Sequence, residues 1–460
     1  MFQKNKSNLK KILKKIGKIF KWFGIFLILL LSMLLGMIIY WLTRPNTSEI
    51  NYSLGMEYWI AMGLEIEGHS HNSNTDMIFW NGSFYLVHQN SPYHLTSKQS
   101  KLIIWRSSDA ISWELVKIIY LHEDIRDPKF AIIGSRLFMY ALVNYGEFIA
   151  SPETTIYTYT EDGQSWKDFK FIEPYGWLFW RPKTRDNKTW YVPAYWRGHG
   201  ASILLNSTDG INWEFVSTIF LGERNDETDI EFFPDGRMIS TGRLEGESEF
   251  LFGDNSGSTG IAVSKFPYKS WTYFKSQITR LDGPCLFEYS GKIFAVGRYE
   301  PQNDPVFHQQ GSFFNRKRTS LFQVTEIGLV YLADLPSCGD TSYAGVVIRG
   351  DQAYISYYSS PINQDLPWIL GVISKSEIRM AKIDLDRLES LANAKLLQGV
   401  NNKRNIELPW QDYIIFSLII IIQISIMYIL KRLTPFSKRN KRKNKKFSQK
   451  LVKILIEWDF

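Results

Sequence analysis

The chain has 460 residues, 15% of them aromatic, and its 54 basic and 46 acidic residues give a net charge of +8. Such a high aromatic content suits an all-β domain or a sugar-binding surface. The positive charge is concentrated at the ends, because residues 1–21 contain eight Lys and residues 431–460 contain eleven Lys or Arg. The 35 basic and 44 acidic residues between these tails leave the middle acidic. This distribution argues against nucleic acid as a partner.

Each basic tail lies next to an uncharged apolar run. Trp22–Thr43 comprises 22 such residues and Tyr413–Leu430 comprises 18. A helix that crosses a bilayer needs about 20 apolar residues, so we expect two transmembrane helices and the lipid bilayer as a partner. A cleaved signal peptide is the alternative for the first run, although no small-residue cleavage site follows it. The positive-inside rule then predicts both termini in the cytoplasm and residues 44–412 outside it.

Residues 60–375 repeat six times, and each unit contains an apolar strand, a tight turn and a second apolar strand. The six turns are Asn81-Gly82, Gly134-Ser135, Asp186-Asn187, Asp235-Gly236, Ser290-Gly291 and Gly350-Asp351. Such turns between apolar strands are typical of β-hairpins. With a second hairpin in most units, four strands recur about every 50 residues, the length of a propeller blade. The sequence therefore predicts an all-β, six-bladed β-propeller, in which Met56–Ile66 closes the ring as an outer strand of the last blade.

These features divide the chain into six predicted segments. The first three are a basic cytoplasmic tail (1–21), a transmembrane helix (22–43) and an extracytoplasmic six-bladed propeller (44–375). The last three are a helical linker (376–412), a second transmembrane helix (413–430) and a basic cytoplasmic tail (431–460). We therefore expect a two-pass membrane protein whose folded domain lies outside the cytoplasm.

The second hairpin of three units carries a common motif of Ser or Thr, any residue, Asp, Gly or Ala, two residues and Trp. It spans Ser107–Trp113, Thr160–Trp166 and Ser207–Trp213. The Asp can accept hydrogen bonds from the backbone of its own turn, and the Trp can pack beneath that turn. This motif resembles the Asp-box, or BNR repeat, of the sialidase superfamily of six-bladed propellers. The resemblance covers residues 60–375, and it implies the fold but not the activity, because these boxes are structural turns in the family.

The resemblance also implies a set of pocket residues. In the family, an Arg at the end of the second strand of blades four and five binds the substrate carboxylate, and Arg243 and Arg298 match these positions. A planar guanidinium suits this task because it binds a carboxylate through two hydrogen bonds. The family's nucleophile, a Tyr at the start of blade six, matches Tyr343, and its base, a Glu at the start of blade four, matches Glu227. A phenol needs such a carboxylate to accept its proton.

The first blade departs from the family pattern. The family has a third Arg in this blade, whereas the corresponding stretch of this chain offers His69, His71, Asn74 and Asp76. The family's acid, an Asp on a loop of the first blade, has no evident match either. Asp127, in the second blade, and Asp76 are the two alternatives for that role.

Further charged residues at the starts of inner strands complete the predicted pocket. Arg126 and Arg181 add positive charge in blades two and three and are candidate substrate-binding residues. A pocket rich in both signs suits an anionic or polyhydroxy sugar, which need not be sialic acid. We expect no cofactor, and two His two residues apart, at positions 69 and 71, are weak evidence for a metal. The two cysteines, Cys285 and Cys338, leave a disulfide and a pair of inert thiols equally open.

These observations lead to one functional hypothesis and one alternative. The hypothesis is a membrane-anchored, exo-sialidase-like glycoside hydrolase that acts on extracytoplasmic glycans through the residues matched above. The alternative is a non-catalytic propeller, tethered to the membrane, that binds a glycan or a partner protein. The absent third Arg and the absent first-blade Asp favour the alternative, whereas the matched Tyr, Glu and two Arg favour the hydrolase.

Overall fold

The computed structural model describes residues 2–63, 68–148, 150–247, 251–301, 309–401 and 410–433. Two compact units are formed, one by Met1–Trp41 with Pro409–Phe460 and the other by Leu42–Leu408.

The first unit contains two long helices, α1 (Phe2–Thr43) and α4 (Trp410–Leu433). Within α1, Ile12–Thr43 is long and apolar enough to cross a membrane. The apolar part of α4 is only Asp412–Tyr428, which at a rise of 1.5 Å per residue spans about 26 Å, short of the ~30 Å bilayer core. The predicted second span is therefore not supported among the described residues. The two helices contact each other, since Gln423 Nε2 donates a hydrogen bond to Ser32 Oγ at 2.8 Å.

The second unit is a six-bladed β-propeller, and each blade is one antiparallel sheet. Blade one comprises β2 (His71–Trp80), β3 (Ser83–Ser91), β4 (Lys101–Ser107) and β5 (Glu114–Ile119). Blade two comprises β6 (Asp124–Ile133), β7 (Arg136–Asn144), β8 (Thr154–Thr160) and β9 (Lys170–Phe171). Blade three comprises β10 (Trp177–Phe179), β11 (Lys183–Thr184), β12 (Trp190–Trp196), β13 (Ala201–Ser207) and β14 (Glu214–Leu221). Blade four comprises β15 (Thr228–Phe232), β16 (Met238–Leu244), β17 (Ser258–Ser264) and β18 (Thr272–Ser276). Blade five comprises β19 (Asp282–Tyr289), β20 (Lys292–Tyr299), β21 (Arg318–Thr325) and β22 (Gly328–Asp334). Blade six comprises β23 (Thr341–Arg349), β24 (Gln352–Ser359), β25 (Glu377–Asp384) and β1 (Glu57–Met62). The six-bladed propeller predicted from the repeat is confirmed.

The last blade is completed by strands from both ends of the domain. β1 pairs with β25 in antiparallel fashion, as expected for a closing strand. The prediction of a helical linker from residue 376 is wrong for its first part, because β25 belongs to the propeller. It pairs with β24 from Glu377 to Asp384 and with β1 on its other side. A helix, α3 (Leu385–Leu396), begins only after it, capped by the Asp384 carboxylate, which accepts from Arg387 N at 3.0 Å.

The core of the propeller lies between neighbouring blades. For example, Leu102 of blade one and Leu137 and Met139 of blade two are fully buried in one cluster. Stacked sheets of this kind bury apolar side chains on both faces, which is why the strands are rich in Ile, Leu and Val.

The three Asp-box turns have the hydrogen bonds that their sequence predicts. In the second of them, Asp162 Oδ1 accepts from Gln164 N at 2.8 Å and from Ser165 N at 2.7 Å, while Gly163 N donates to Thr160 Oγ1 at 2.9 Å. A fourth turn of the same geometry occurs at Asp186, whose Oδ1 accepts from Lys188 N at 2.9 Å. The sequence identified it as a hairpin turn but not as a copy of this motif. Its sequence, Thr-Arg-Asp-Asn-Lys-Thr-Trp, differs from the motif only by Asn in place of Gly or Ala.

The innermost strands of four blades share an irregularity that shapes the centre of the molecule. Their register with the second strand shifts near residues 74, 127, 283 and 343. At these positions Asn74, Asp127, Gly283 and Tyr343 have φ values of 50°, 49°, 60° and 47°. Left-handed backbone is unfavourable for a residue such as Tyr and is found mainly at functional sites. At three of these β-bulges the residue carries a side chain that lies toward the propeller centre: Asn74, Asp127 and Tyr343.

A buried ion cluster fixes the segment after β24, which leads into the short helix α2 (Trp368–Gly371). Asp365 Oδ2 accepts from Arg316 Nε at 2.8 Å and from Arg318 Nη2 at 2.7 Å, and all three residues are fully buried. Burial alone would raise the pKa of Asp365, but Arg318 and Arg316 lower it to about 2. The carboxylate is therefore ionised at neutral pH.

The two cysteines do not form a disulfide. Cys285 and Cys338 are free and buried. Burial raises the pKa of Cys285 to about 11 and that of Cys338 to about 12, so both remain unreactive thiols at neutral pH.

Candidate active site

A cavity of about 540 Å³ opens where the starts of the inner strands meet. This volume falls in the range of small-molecule sites, which is about 300 to 1,000 Å³. Its lining includes the following charged or phenolic residues that the sequence singled out: Arg126, Asp127, Glu227, Arg243, Arg298 and Tyr343. Apolar side chains such as Phe148, Phe313 and Trp368 complete the wall.

Tyr343 and Glu227 form a hydrogen-bonded pair at this cavity. Tyr343 Oη donates to Glu227 Oε1, and Gly283 N donates to Glu227 Oε2 at 2.6 Å. Both side chains are largely buried, at 6% and 4% exposure. Burial and the negative charge of Glu227 raise the pKa of Tyr343 well above its usual value. The phenol is therefore neutral at physiological pH, and its proton points at the carboxylate that could accept it.

Gly283 brings a third blade into contact with this pair. A Cβ at this position would lie 2.9 Å from the Tyr343 ring, so a larger residue would displace the phenol. Arg243 supplies the remaining contact, with Nη1 2.9 Å from Glu227 Oε1. Blades four, five and six thus fix the orientation of the pair.

Asp127 is the second carboxyl group that lines the cavity. It is 7% exposed, and its Oδ1 has no hydrogen-bond partner among the described residues. Burial raises the pKa of Asp127, although Lys129 and Arg126 oppose the rise. The neighbouring Arg126 donates through Nε to Asp124 Oδ2 at 2.6 Å, while its Nη2 has no partner among the described residues. An acid with a raised pKa and a guanidinium nitrogen without a partner among the described residues thus belong to neighbouring residues.

Three arginines of blades four and five face acids of this chain. Arg243 donates through Nε to Asp226 Oδ1 at 2.6 Å. Burial raises the pKa of Asp226 to about 7, although Arg243 opposes the rise. Arg280, which the sequence did not single out, donates through Nε and Nη2 to both oxygens of Asp282, at 2.8 and 2.9 Å.

Arg298 is the most deeply buried of the three, at 1% exposure. It donates to Asp282 Oδ2 and to Asp340 Oδ1, each at 3.3 Å, and to Tyr358 Oη at 3.0 Å. Its Cζ lies 5.4 Å from the centre of the Tyr343 ring. Arg298 therefore packs behind the phenol and has its donors occupied by the protein.

The place of the missing first-blade Arg is taken by histidines. His71 Nε2 lies 3.2 Å and His94 Nδ1 2.8 Å from Asp340 Oδ2. The metal group weighed from the sequence, His69 and His71 with Asp76, does not form among the described residues. Instead, His71, His94 and Asp340 have ligand atoms close enough to one another to hold a cation. Arg298 already lies beside Asp340, and this positive charge disfavours a metal ion there.

A second group with metal-ligand spacing comprises His199, Asp226 and Glu245. Arg243 Nη2 lies 3.7 Å from Glu245 and also contacts Asp226, so a guanidinium again occupies the position of a cation.

Two of the predicted site residues lie outside the cavity. Asp76 accepts from Phe130 N at 2.7 Å and from Arg181 Nη2 at 2.8 Å, and Arg181 also donates to Asp229 at 3.3 Å. Neither Asp76 nor Arg181 lines the cavity. Their prediction as acid and substrate ligand is corrected, because they neutralise each other between the inner strands. Of the two candidate acids, only Asp127 reaches the cavity.

The comparisons with known proteins agree with this fold. No family model matches the chain, and no curated protein matches its sequence. A protein of unknown function from Dyadobacter fermentans is similar in structure, with a TM-score of 0.51 and 15% identity over 72% of this chain and 99% of that chain. The phage phi92 endosialidase has a TM-score of 0.50 and 8% identity over 72% of this chain and 69% of that chain.

Trypanosoma rangeli sialidase is also similar, in complexes with sialic acid and with 2,3-difluorosialic acid as a covalent intermediate. The TM-scores are 0.51 and 0.52, with 12% identity over 74% of this chain. This chain spans only about 60% of the trypanosome sialidase chain. At these identities the likeness concerns the fold, and it agrees with the Asp-box turns and the six blades. The chain therefore has a six-bladed β-propeller fold that is similar to the fold of these sialidases.

Proposed function

We propose that the protein is a membrane-anchored glycoside hydrolase that acts on extracytoplasmic glycans bearing an acidic or polyhydroxy sugar. The observation that carries this proposal is the hydrogen bond from Tyr343 to Glu227 at the cavity, opposite the buried acid Asp127. A nucleophile paired with a base, together with a separate proton donor, is what glycoside hydrolysis with retention requires.

In the first step, Tyr343 Oη bonds to the anomeric carbon while the bond from that carbon to the leaving oxygen breaks. The phenol proton passes to Glu227, and Asp127 gives its proton to the leaving oxygen. Arg243 holds the Glu227 carboxylate in position, and the buried Arg298 stabilises negative charge on the phenol oxygen through its place behind the ring.

In the second step, water attacks the anomeric carbon and the bond to Tyr343 Oη breaks. Asp127, now ionised, takes a proton from the water, and Glu227 returns its proton to the phenol oxygen. The raised pKa of Asp127 suits this double role, because an acid catalyst must carry its proton near neutral pH.

The membrane arrangement is part of the proposal. The α1 helix crosses the bilayer, and α4, which contacts α1 through Ser32 and Gln423, crosses beside it with the flanking residues of its apolar core at the lipid interface. The basic residues of both tails favour cytoplasmic termini and an extracytoplasmic propeller. Protease added outside intact cells should then cut the propeller and spare both tails.

The test is hydrolysis by the full-length protein in detergent, assayed on a panel of aryl glycosides that includes sialosides and uronides. Tyr343→Phe should lower kcat by at least about 1,000-fold, since the nucleophile is lost. A 2-fluoro glycoside of the accepted sugar should add its glycosyl mass to the peptide that contains Tyr343. Tyr140→Phe is the matched control, because this buried phenol donates only to Gly210 O, at 2.7 Å, away from the cavity. Equal activity of the two variants would exclude the mechanism.

The alternative is a propeller that binds glycans without cleaving them. It is favoured by the arginines, whose donors are occupied by acids of the chain itself. A protein that binds a sugar in the cavity but turns over no glycoside in the panel would support this alternative.

A further inference from the structure

The arginine cluster of the cavity already encloses a carboxylate. Asp282, at the start of β19, is fully buried. Its Oδ1 and Oδ2 accept two hydrogen bonds from Arg280, at 2.8 and 2.9 Å, and one from Arg298, at 3.3 Å, while Arg243 Nη1 lies 3.9 Å away. Three guanidinium groups around one carboxylate are the arrangement that a carboxylated ligand would need for itself.

Further donors of Arg243 and Arg298 also contact groups of the protein. Arg243 contacts Asp226 through two nitrogens and Glu227 through the third. Arg298 donates to Thr341 O at 2.9 Å and to Asp340. A substrate carboxylate could bind only by breaking these contacts, which would leave a buried acid of the protein without its partner.

The balance of charge opposes an anionic ligand as well. Five arginines line the cavity, and they are Arg126, Arg224, Arg243, Arg280 and Arg298. Among the described residues, four carboxyl groups line the cavity: Asp127, Glu227, Glu245 and Asp254. Five more lie within 4 Å of a nitrogen of these arginines: Asp124, Asp226, Asp282, Glu300 and Asp340. Each of the five guanidinium groups therefore already lies within 4 Å of a carboxyl group, which reduces its attraction for a further negative charge.

Two polar atoms of cavity-lining residues lack a partner among the described residues, although the protein covers both. Arg126 Nη2 and Asp127 Oδ1 are buried and have no hydrogen-bond partner among the described residues. A hydroxyl group can both accept from a guanidinium and donate to a carboxyl oxygen, so a neutral sugar offers the chemistry that both atoms lack.

We propose that Asp282 is a built-in carboxylate that occupies the arginine cluster, and that the substrate is a neutral polyhydroxy glycosyl unit without a carboxylate. This inference rests on the proposed function for its use of the cavity, and it narrows the substrate class. Arg243 and Arg298 accordingly position Glu227 and Tyr343 and do not bind an acidic group of the substrate.

The first experiment compares substrates with the full-length wild-type protein. We expect kcat/KM for at least one neutral aryl hexoside or deoxyhexoside to exceed that for aryl sialosides and glucuronides by at least about 100-fold. Equal or greater kcat/KM for an acidic glycoside would overturn the inference.

The second experiment removes the internal charge. Asp282→Asn keeps the shape of the side chain, frees Arg280 and Arg298 for a ligand, and should lower the Kd for methyl glucuronide or methyl sialoside by at least about tenfold in calorimetry. Asp235→Asn is the matched control, because it breaks an exposed Asp–Arg pair, with Arg237 at 2.7 Å, in a blade-four turn. An unchanged Kd in a folded Asp282→Asn protein contradicts the proposal. If that variant does not fold, Asp226→Asn, which frees Arg243, takes its place with the same expected result.

Binding measurements separate this inference from the proposed hydrolysis. If no glycoside is cleaved, the hydrolase proposal fails, but calorimetry of wild-type protein with neutral and acidic methyl glycosides still decides the ligand class. Binding of a neutral glycoside alone supports the inference. Binding of the acidic glycosides with equal or lower Kd, or of neither class at about 10 mM, a concentration typical of weak sites, refutes it.

Discussion

The change of Asp127 to Asn has two expected effects of opposite sign, on catalysis and on stability. If Asp127 protonates the leaving oxygen, its removal should slow the cleavage of alkyl glycosides by about 10² to 10⁴-fold, the usual contribution of a general acid. This loss corresponds to about 3 to 5 kcal/mol of transition-state stabilisation. A dinitrophenyl glycoside needs no proton on its leaving group, so its first step should be almost unchanged.

The second step should then limit the rate for the dinitrophenyl substrate. We expect a burst of about one equivalent of dinitrophenol per protein, because the glycosylated Tyr343 accumulates when no base activates water. Azide, which needs no base, should restore the steady-state rate and give a glycosyl azide. Stopped-flow absorbance measures the burst, and mass spectrometry identifies the azide product.

The same substitution should stabilise the protein. Burial raises the pKa of Asp127 above its value in the unfolded chain, so the folded state binds the proton more tightly. The contribution of this group to the free energy of unfolding is present below the unfolded pKa and is lost as pH rises through the folded pKa. At neutral pH an uncharged Asn avoids that loss, and thermal unfolding should occur at a higher temperature.

Asp76→Asn is the matched control for these measurements. Asp76 was the other candidate acid, and its two oxygens accept from Phe130 N and Arg181. Its replacement should lower the unfolding temperature and should affect alkyl and dinitrophenyl glycosides to the same extent. The assignment of Asp127 as the acid is refuted if Asp127→Asn slows both leaving groups equally.

Three further predictions concern buried groups. Asp365→Asn should lower the free energy of unfolding by about 3 to 5 kcal/mol, because it leaves buried guanidinium groups without a partner. For a unit of this size, this corresponds to a decrease of about 4 to 7 °C in Tm. The exposed Asp351→Asn should change Tm by less than ~1 °C. This stabilisation by Asp365 should disappear as pH falls from about 4 through its folded pKa of about 2, since an acid with a lowered pKa stabilises the folded state only while it is ionised. Because burial raises the pKa of Asp226 to about 7, inhibition by glucuronate should strengthen below pH 7, where this acid becomes neutral, while inhibition by a neutral sugar should not. Cys285 and Cys338 should react with a maleimide only in denaturant, and a labelled native protein would contradict their burial.

The fold could be predicted because its signals are local. Each hairpin turn and each Asp-box is encoded within a few residues, and their regular spacing predicts six blades. The contact between Tyr343 and Glu227 could also be expected, since the starts of all inner strands converge in a propeller. Residues 377–384 were harder to assign, because Glu-Ile-Arg-Met-Ala-Lys-Ile-Asp continues directly into α3 without a turn signal. Pairing with β24 and with β1, which lies more than 300 residues earlier, identifies them as a strand.

The charge partners of the site were not predictable from sequence. Asp282 and Arg280 are separated by one residue, whereas the contact of Asp282 with Arg298 depends on the register that pairs β19 with β20. Asp340 gains its histidine partners from the start of β2, at His71, and from the loop between β3 and β4, at His94. Such contacts depend on the strand register and on β-bulges, which change the direction of one side chain. Neither leaves a consistent pattern in the amino-acid sequence.

The pairing of β1 with β25 also has a consequence for biosynthesis. The strand that seals the ring emerges among the first residues of the domain, but its partner is made only after five blades and half of the sixth. Until then, Glu57–Met62 has no sheet to join, and the nascent domain exposes unpaired strand edges of the kind that aggregate. A product that stops before residue 377 would lack that partner strand, so we expect it to be captured by chaperones or degraded, and not to survive as a smaller functional protein.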